Sequence, residues 1–233
     1  MSQVRLADVA WQPCYRIVPS RLPPVGLFDR VASADELATV YAIESLTNDR
    51  LRNETGDLAL VPPDERMVGP GATPVMAAFT HPNPNGSRFS DGTFGVFYAG
   101  RSLTTAIRET VYHRERFLAD SSQRPATIKM RVYQINLAGR LRDLRGESRE
   151  QSRLLAPDDY QASQRYGCSA RNAGALGLIY PSVRDWDNGE CAAVFRTTVL
   201  SSATQTRHLG YVWDGQRITD ILSLSHSGIK PHP

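Results

Sequence analysis

His81 to Leu118, HPNPNGSRFSDGTFGVFYAGRSLTTAIRETVYHRERFL, passes from loop to strand to helix and sets the frame for the rest of the chain. Pro82, Asn83, Pro84, Asn85 and Gly86 cannot sustain a helix and mark a loop. Gly95 to Ala99 (GVFYA) is a short apolar, aromatic run of strand type. Ser102 or Thr104 supplies an N-cap for the helix that follows. That helix gathers Leu103, Ala106, Ile107, Thr110, Val111 and Phe117 on one side. Three polar residues stand out on this frame: Arg88 in the loop, Tyr98 at the strand end and Glu109 in the helix. Glu109 lies off the centre of the apolar stripe, on the flank shared with Ala106 and His113, where it can face a cleft beside the core.

Working outward, Cys14 to Val18 reads as a strand ended by Pro19. Ser33 and Glu36 have capping-box spacing and open an amphipathic helix toward Asn53, with Gly56 as its stop. The Pro/Gly-rich stretch from Val61 to Pro74 is loop-like, and Gly69-Pro70-Gly71 lacks the third glycine and following helix of a dinucleotide fingerprint. Thr127 to Leu137 is a long strand. Ile128, Met130 and Val132 fall on one face, then Tyr133, Ile135 and Leu137 on the other, a change of phase that predicts a bulge or burial on both faces. Pro157-Asp158-Asp159 opens a short helix toward Tyr166, closed by Gly167. Gly177 to Tyr180 and Cys191 to Leu200 are apolar strands, and Asp214-Gly215-Gln216 is a hairpin turn between Tyr211-Val212-Trp213 and Arg217-Ile218. Strands and helices do not alternate regularly, which favours α+β over a doubly wound sheet.

Composition narrows the classes. The chain has 233 residues, 41% of them hydrophobic, and a net charge of +3, too mild to argue for nucleic acid. Cys14, Cys168 and Cys191 form neither a zinc pattern nor a disulfide framework. His81, His113, His208, His226 and His232 are scattered without HxxxH, so no metal site is expected. No GxSxG is present. The absence of an apolar leader or of a run long enough to span a bilayer makes a reduced, cytoplasmic protein the expectation.

These residues together resemble the RES domain family, named for an arginine, a glutamate and a serine. Arg88, in the pair Arg88-Phe89, matches its arginine. Tyr98 matches its strand-end tyrosine, and Glu109, in an AxxE pattern with Ala106, its glutamate. Ser182, closing GLIYPS (177–182), matches its serine, and Tyr15-Arg16 an early Tyr-Arg pair. The resemblance covers the chain to Phe28 and again from His81 to about Leu222. The whole of 1–233 is therefore read as a single RES-type domain with its core at 12–28 and 81–222, a helical and loop insertion at 33–74 and a tail at 223–233. It implies an ADP-ribosyltransferase-like split β-sheet with surrounding helices and an NAD cleft between the two halves. It also implies a toxin of a bacterial toxin–antitoxin pair, held in check by an Xre-like antitoxin protein, with NAD+ as its substrate.

If NAD+ is the substrate, each residue has a role to play and a plainer alternative. The nicotinamide–ribose bond breaks through an oxocarbenium-like transition state, and a carboxylate beside the ribose gains most as positive charge develops there. Glu109 is that candidate; otherwise it is a surface glutamate pairing with His113 one turn on. Arg88 would clamp the pyrophosphate with its planar fork, or else bond Asp91 in its own loop. Arg16 either reaches a substrate phosphate or is an edge-strand arginine paired to a carboxylate. Tyr98 stacks on nicotinamide, hydrogen-bonds the ribose, or is a core tyrosine with a satisfied hydroxyl. Ser182 orients the substrate or Glu109, or is a turn serine after Pro181. Water, phosphate and a protein side chain all remain open as acceptors, so hydrolysis or phosphorolysis stands beside ADP-ribosyl transfer to a cellular protein. An RNA-targeting toxin or a non-catalytic binding module needs a clustered basic and aromatic surface or an inert Glu109, respectively, and the arginines here are dispersed among carboxylates.

Overall fold

The computed structural model describes residues 5–20, 27–30, 33, 36, 56–146 and 149–224. Seven strands form one mixed sheet: β1 (Leu6–Pro19), β2 (Phe97–Gly100), β3 (Ala126–Asp143), β4 (Gly177–Pro181), β5 (Glu190–Val194), β6 (Thr204–Trp213) and β7 (Ile218–Leu224). Helices are α1 (Leu27–Arg30), α2 (Thr73–Thr80), α3 (Leu103–Asp120), α4 (Arg149–Leu154) and α5 (Gln161–Asn172). The fold is α+β, as the irregular alternation of elements predicts.

The sheet is split into two parts. β1 and β3 form a long antiparallel ribbon from Leu6↔Arg142 to Pro19↔Met130, and β6 and β7 extend it beyond β3. β2, β5 and β4 form the other part, in that order. Two short junctions join the parts: β1 meets β2 at Tyr15↔Gly100, and β4 runs parallel to the end of β3 at Arg142↔Leu178 and Asp143↔Ile179. The phase change expected near Val132 is present as a register shift between Val132 and Tyr133 in the β3–β6 pairing. The expected hairpin also forms. Asp214 Oδ1 accepts from the amides of Gln216 and Arg217 at 2.8 and 2.9 Å, and Gly215 takes a φ of +105° that other residues avoid.

β5 shows how the central strands are covered on both faces. Ala192 and Val194 point into a core with Val9, Trp11, Cys14, Phe97, Met76 and Phe79, while Cys191 and Ala193 point into a second core with Phe89, Phe94, Leu178 and Ala170. A strand buried on both faces reads as a continuous apolar run rather than an alternation.

The stretch taken as an insertion needs correcting at its C-terminal end. Leu58, Val61 and Ala72, with Val75 and Met76 just beyond, are buried in the first core, so the stretch contributes side chains to the domain's interior although most of its residues stay at the surface. Ser33 Oγ does accept from the Glu36 amide at 3.1 Å; the rest of the expected helix to Asn53 lies outside the described residues, as does the tail beyond Leu224. The apolar strand expected from Cys191 to Leu200 ends at Val194, and Thr197–Val199 forms a 3-10 turn.

Two helices differ in detail from expectation. Ser102 caps α3, its Oγ accepting from the Thr105 amide at 3.0 Å, but Phe117 is 43% exposed and Leu118 is buried instead. At 100° per residue Leu118 continues the row of Ile107 and Val111, while Phe117 falls a quarter-turn aside. Gly167 does not close a helix; α5 runs through it to Asn172. Its missing side chain is what lets α5 lie against the loop, because a Cβ there would overlap the backbone carbonyl of Phe89.

Among the described residues no helix is long and apolar enough to cross a membrane, and no three His, Cys, Asp or Glu side chains are grouped to hold a metal ion.

Candidate active site

A cavity of about 820 Å³ opens beside the β1–β2 junction, under α3, large enough for a cofactor-sized ligand. Arg16, Arg88, Tyr98 and Glu109 all line it, joined by His113, Tyr180 and Cys191. Four of the five residues singled out from sequence thus meet in one space.

Glu109 is delivered by the end of the second turn of the Ser102-capped helix. The pairing with His113 does not hold it; Ser182 and Cys191 do. The Ser182 hydroxyl donates to Oε1 at 2.5 Å, and Cys191 Sγ lies 3.7 Å from the same oxygen. Burial, above all, keeps the Cys191 thiol well above its ordinary range, with the Glu109 charge adding to it, so the sulfur stays a donor. Ser182 therefore does not line the cavity as a substrate-binding residue; it acts on Glu109.

Arg88 is 7% exposed, yet its partners are neutral. Nη1 donates to the Ala156 carbonyl at 2.8 Å, Nη2 to Pro157 at 3.4 Å, and the guanidinium lies 4.5 Å over the Tyr160 ring. Asp91, its expected alternative partner, is turned to the hydroxyl and amide of Thr93. Arg16 is similar: Nη1 donates to the Tyr98 carbonyl at 3.1 Å, the guanidinium covers Phe97 at 4.7 Å, and its buried Nε has no partner. Burial lowers its pKa to about 10. No carboxylate neutralises either arginine among the described residues. A buried cation without a counter-charge is costly, and an anionic ligand in the cavity would offset that cost twice.

Tyr98 holds the Arg88 loop in place. Its hydroxyl lies 2.8 Å from Ser87 Oγ and accepts from the Phe89 amide at 2.9 Å. The hydroxyl thus bonds residues 87 and 89 on either side of Arg88 and ties down the loop that carries it. Burial pushes its pKa up to about 12.

Sequence reasoning missed the cavity's charged rim, where Arg114 and Arg116 stand with Asp158 and Asp159. Arg184 donates to the Pro157 carbonyl and, at 3.2 Å, to Asp158, and covers the Tyr112 ring at 3.4 Å. Like Arg88 it fastens the strap 156–160, but the two lie almost a hundred residues apart and share no motif. His113 belongs to this rim. Partial burial against the cavity wall, then the charges of Arg184, Arg88, Arg114 and Arg116, push its imidazole from 6.5 down to about 4, although the residue as a whole is exposed, so solvent screens part of this effect. The folded state disfavours the charged form, so the unfolded chain takes up the proton first. The stability this contributes is complete above 6.5 and is lost as pH falls toward 4. His113→Gln is expected to flatten that acid limb in melting temperature measured against pH; an unchanged limb contradicts the assignment.

The family model of the RES domain matches residues 65–214. The chain belongs to the RES domain family. The uncharacterized protein y4oC of Sinorhizobium fredii is 32% identical over 94% of this chain and 90% of its own length. Among solved structures, the M. tuberculosis MbcT–MbcA toxin–antitoxin complex contains a similar chain, with a TM-score of 0.48 and 12% identity over 89% of this chain and 87% of that one. The RES match includes Arg88, Tyr98, Glu109 and Ser182, begins inside the stretch taken as an insertion, and leaves Arg16 outside. Arg16 reaches the same cavity through the fold, because β1 meets β2 at Tyr15↔Gly100 and brings its side chain to the Tyr98 carbonyl.

Proposed function

We propose that this RES domain binds NAD+ in the cavity and cleaves its nicotinamide–ribose bond, passing the ADP-ribose to water or phosphate. The observation that carries this reading is the company Glu109 keeps: one fixed carboxylate shares a cavity with two guanidiniums, Arg88 buried and Arg16 partly buried, that have no counter-charge among the described residues. A dinucleotide with a pyrophosphate and a cationic nicotinamide ribose complements that set. Arg88, and Arg16 beside it, receive the phosphates. Glu109 faces the ribose, where its charge interacts more strongly as the oxocarbenium forms than in the ground state, so it lowers the barrier rather than merely tightening binding. The rest of the reading follows from the family resemblance: the protein acts as a toxin, restrained by an Xre-like antitoxin that closes the cleft.

Calorimetric titration with NAD+ tests the binding half. Arg88→Ala is expected to weaken NAD+ binding on the order of 10- to 100-fold, the loss of a charge-assisted, two-pronged contact. Arg88→Lys recovers little of it because the ammonium cannot bond two phosphate oxygens in a plane. An unchanged dissociation constant in Arg88→Ala removes the clamp from the account. Transfer of label from NAD+ to one protein band in cell extract, with no turnover in buffer, would move the reading to an ADP-ribosyltransferase.

A further inference from the structure

The turn between β4 and β5, residues 182–189, is fastened to α3 by side chains, and the fastening ends on Glu109. Asp185 is 6% exposed, and its Oδ2 accepts from the Thr105 hydroxyl at 2.7 Å. Its Oδ1 accepts from Arg108 and, at 3.1 Å, from the amide of Asp187. Thr105, Arg108 and Glu109 follow one another at helical spacing along α3. Gly189 closes the turn against them, because a Cβ there would overlap Asp185 Oδ2 and Thr105 Oγ1. With its carboxylate anchored, Asp185 donates its amide to Ser182 Oγ at 3.0 Å, and Arg184 donates a second amide at 3.2 Å. A hydroxyl has two acceptor positions and one proton. Both acceptor positions are taken, so the proton is directed to Glu109 Oε1, 2.5 Å away.

We propose that Asp185, anchored by Thr105 and Arg108, is a positioning residue for Glu109: it sets the turn so that Ser182 can only donate, which pins Oε1 and leaves Oε2 for the substrate. The proposal rests on Glu109 being the carboxylate of the NAD+-cleaving reading. Asp185 itself does not line the cavity, so its effect must pass through Ser182 and Glu109. A carboxylate suits the position because a hydroxyl and a guanidinium converge on it. Asparagine would offer one acceptor oxygen and set an NH2 group against a donor.

The test pairs kinetics with crystallography. Asp185→Asn and the near-isosteric Thr105→Val are each expected to lower kcat for NAD+ cleavage about 10- to 100-fold, the cost of a misplaced catalytic group. KM should stay within about threefold, since ground-state binding is not what Asp185 supports. Thr105→Ser, which keeps the hydroxyl, should retain wild-type kcat. In a Glu109→Gln background Asp185→Asn should cost nothing further, because the residue it acts through is already disabled. An equal loss in both backgrounds, or full kcat in Thr105→Val, overturns the proposal. Should Asp185→Asn fail to fold, Thr105→Val carries the test. Crystal structures of wild type and Thr105→Val judge the positioning without reference to activity. Separation of Ser182 Oγ from Glu109 in the variant supports it, and an intact contact overturns it. If wild type leaves NAD+ untouched, the proposed function falls, and the crystallographic comparison still decides the positioning role.

Discussion

Glu109→Gln is expected to reduce NAD+ cleavage on the order of 10²- to 10³-fold in kcat, the loss seen when one preorganised electrostatic stabiliser is removed from a site. The substitution is close to isosteric. Its amide oxygen can still accept from Ser182, so α3 and the 182–189 turn should keep their places and the melting temperature should change little. What disappears is the negative charge. A neutral amide gives the oxocarbenium little more than it gives the bound substrate, so the effect falls on kcat with KM nearly unchanged. Binding of the proposed antitoxin should survive, because the fold is untouched and glutamine keeps the shape of the side chain. A variant that retains wild-type kcat would remove Glu109 from the chemistry.

Gly167→Ala should destabilise the domain although it replaces glycine inside a helix. Two effects oppose each other. Alanine at a helix interior is favoured over glycine by about 1 kcal/mol. Against this, the new methyl group would overlap the carbonyl oxygen, carbonyl carbon and Cα of Phe89, all of them backbone. Phe89 is fully buried against Tyr180, with ring centroids 5.0 Å apart, so its segment cannot yield cheaply. Overpacking of this kind costs about 1–3 kcal/mol, and a backbone clash belongs at the upper end. A net loss of about 2 kcal/mol lowers the melting temperature by roughly 4–8 °C in a domain of this size. Any retreat of Phe89 also moves its neighbour Arg88, so NAD+ affinity should fall with stability. A variant as stable as wild type, or more so, would show that α5 stands off the loop.

The elements that could be read from sequence were those specified by neighbours in the chain. Ser102 caps α3 through an amide three residues away, Asp214 and Gly215 shape their own hairpin, and the shift at Val132 shows as a change in apolar phase. Arg88, Tyr98, Glu109 and Ser182 were legible because their residue types recur in order along one family pattern. What could not be read depends on contacts across the fold. Val61 to Pro74 looks like loop because its prolines and glycines dominate locally, yet Val61 and Ala72, with Leu58, Val75 and Met76 flanking the stretch, join a core shared with β1 and β2. Gly167 looks like a helix stop until Phe89 is placed against it. Asp185 looks like one charge in a polar turn, and only the packing of that turn on α3 gives it Thr105 and Arg108 as partners. Tyr98 lines the cavity, and its hydroxyl also holds the Arg88 loop, which no local pattern reports.

The central claim is tested most directly by a time course of NAD+ with purified, antitoxin-free protein beside Glu109→Gln, with and without phosphate. The account predicts that wild type consumes NAD+ and releases nicotinamide, in buffer alone if water is the acceptor or only with phosphate if phosphate is, while Glu109→Gln leaves NAD+ essentially intact. NAD+ that persists under both conditions with wild-type protein, or that disappears equally fast with Glu109→Gln, would contradict it.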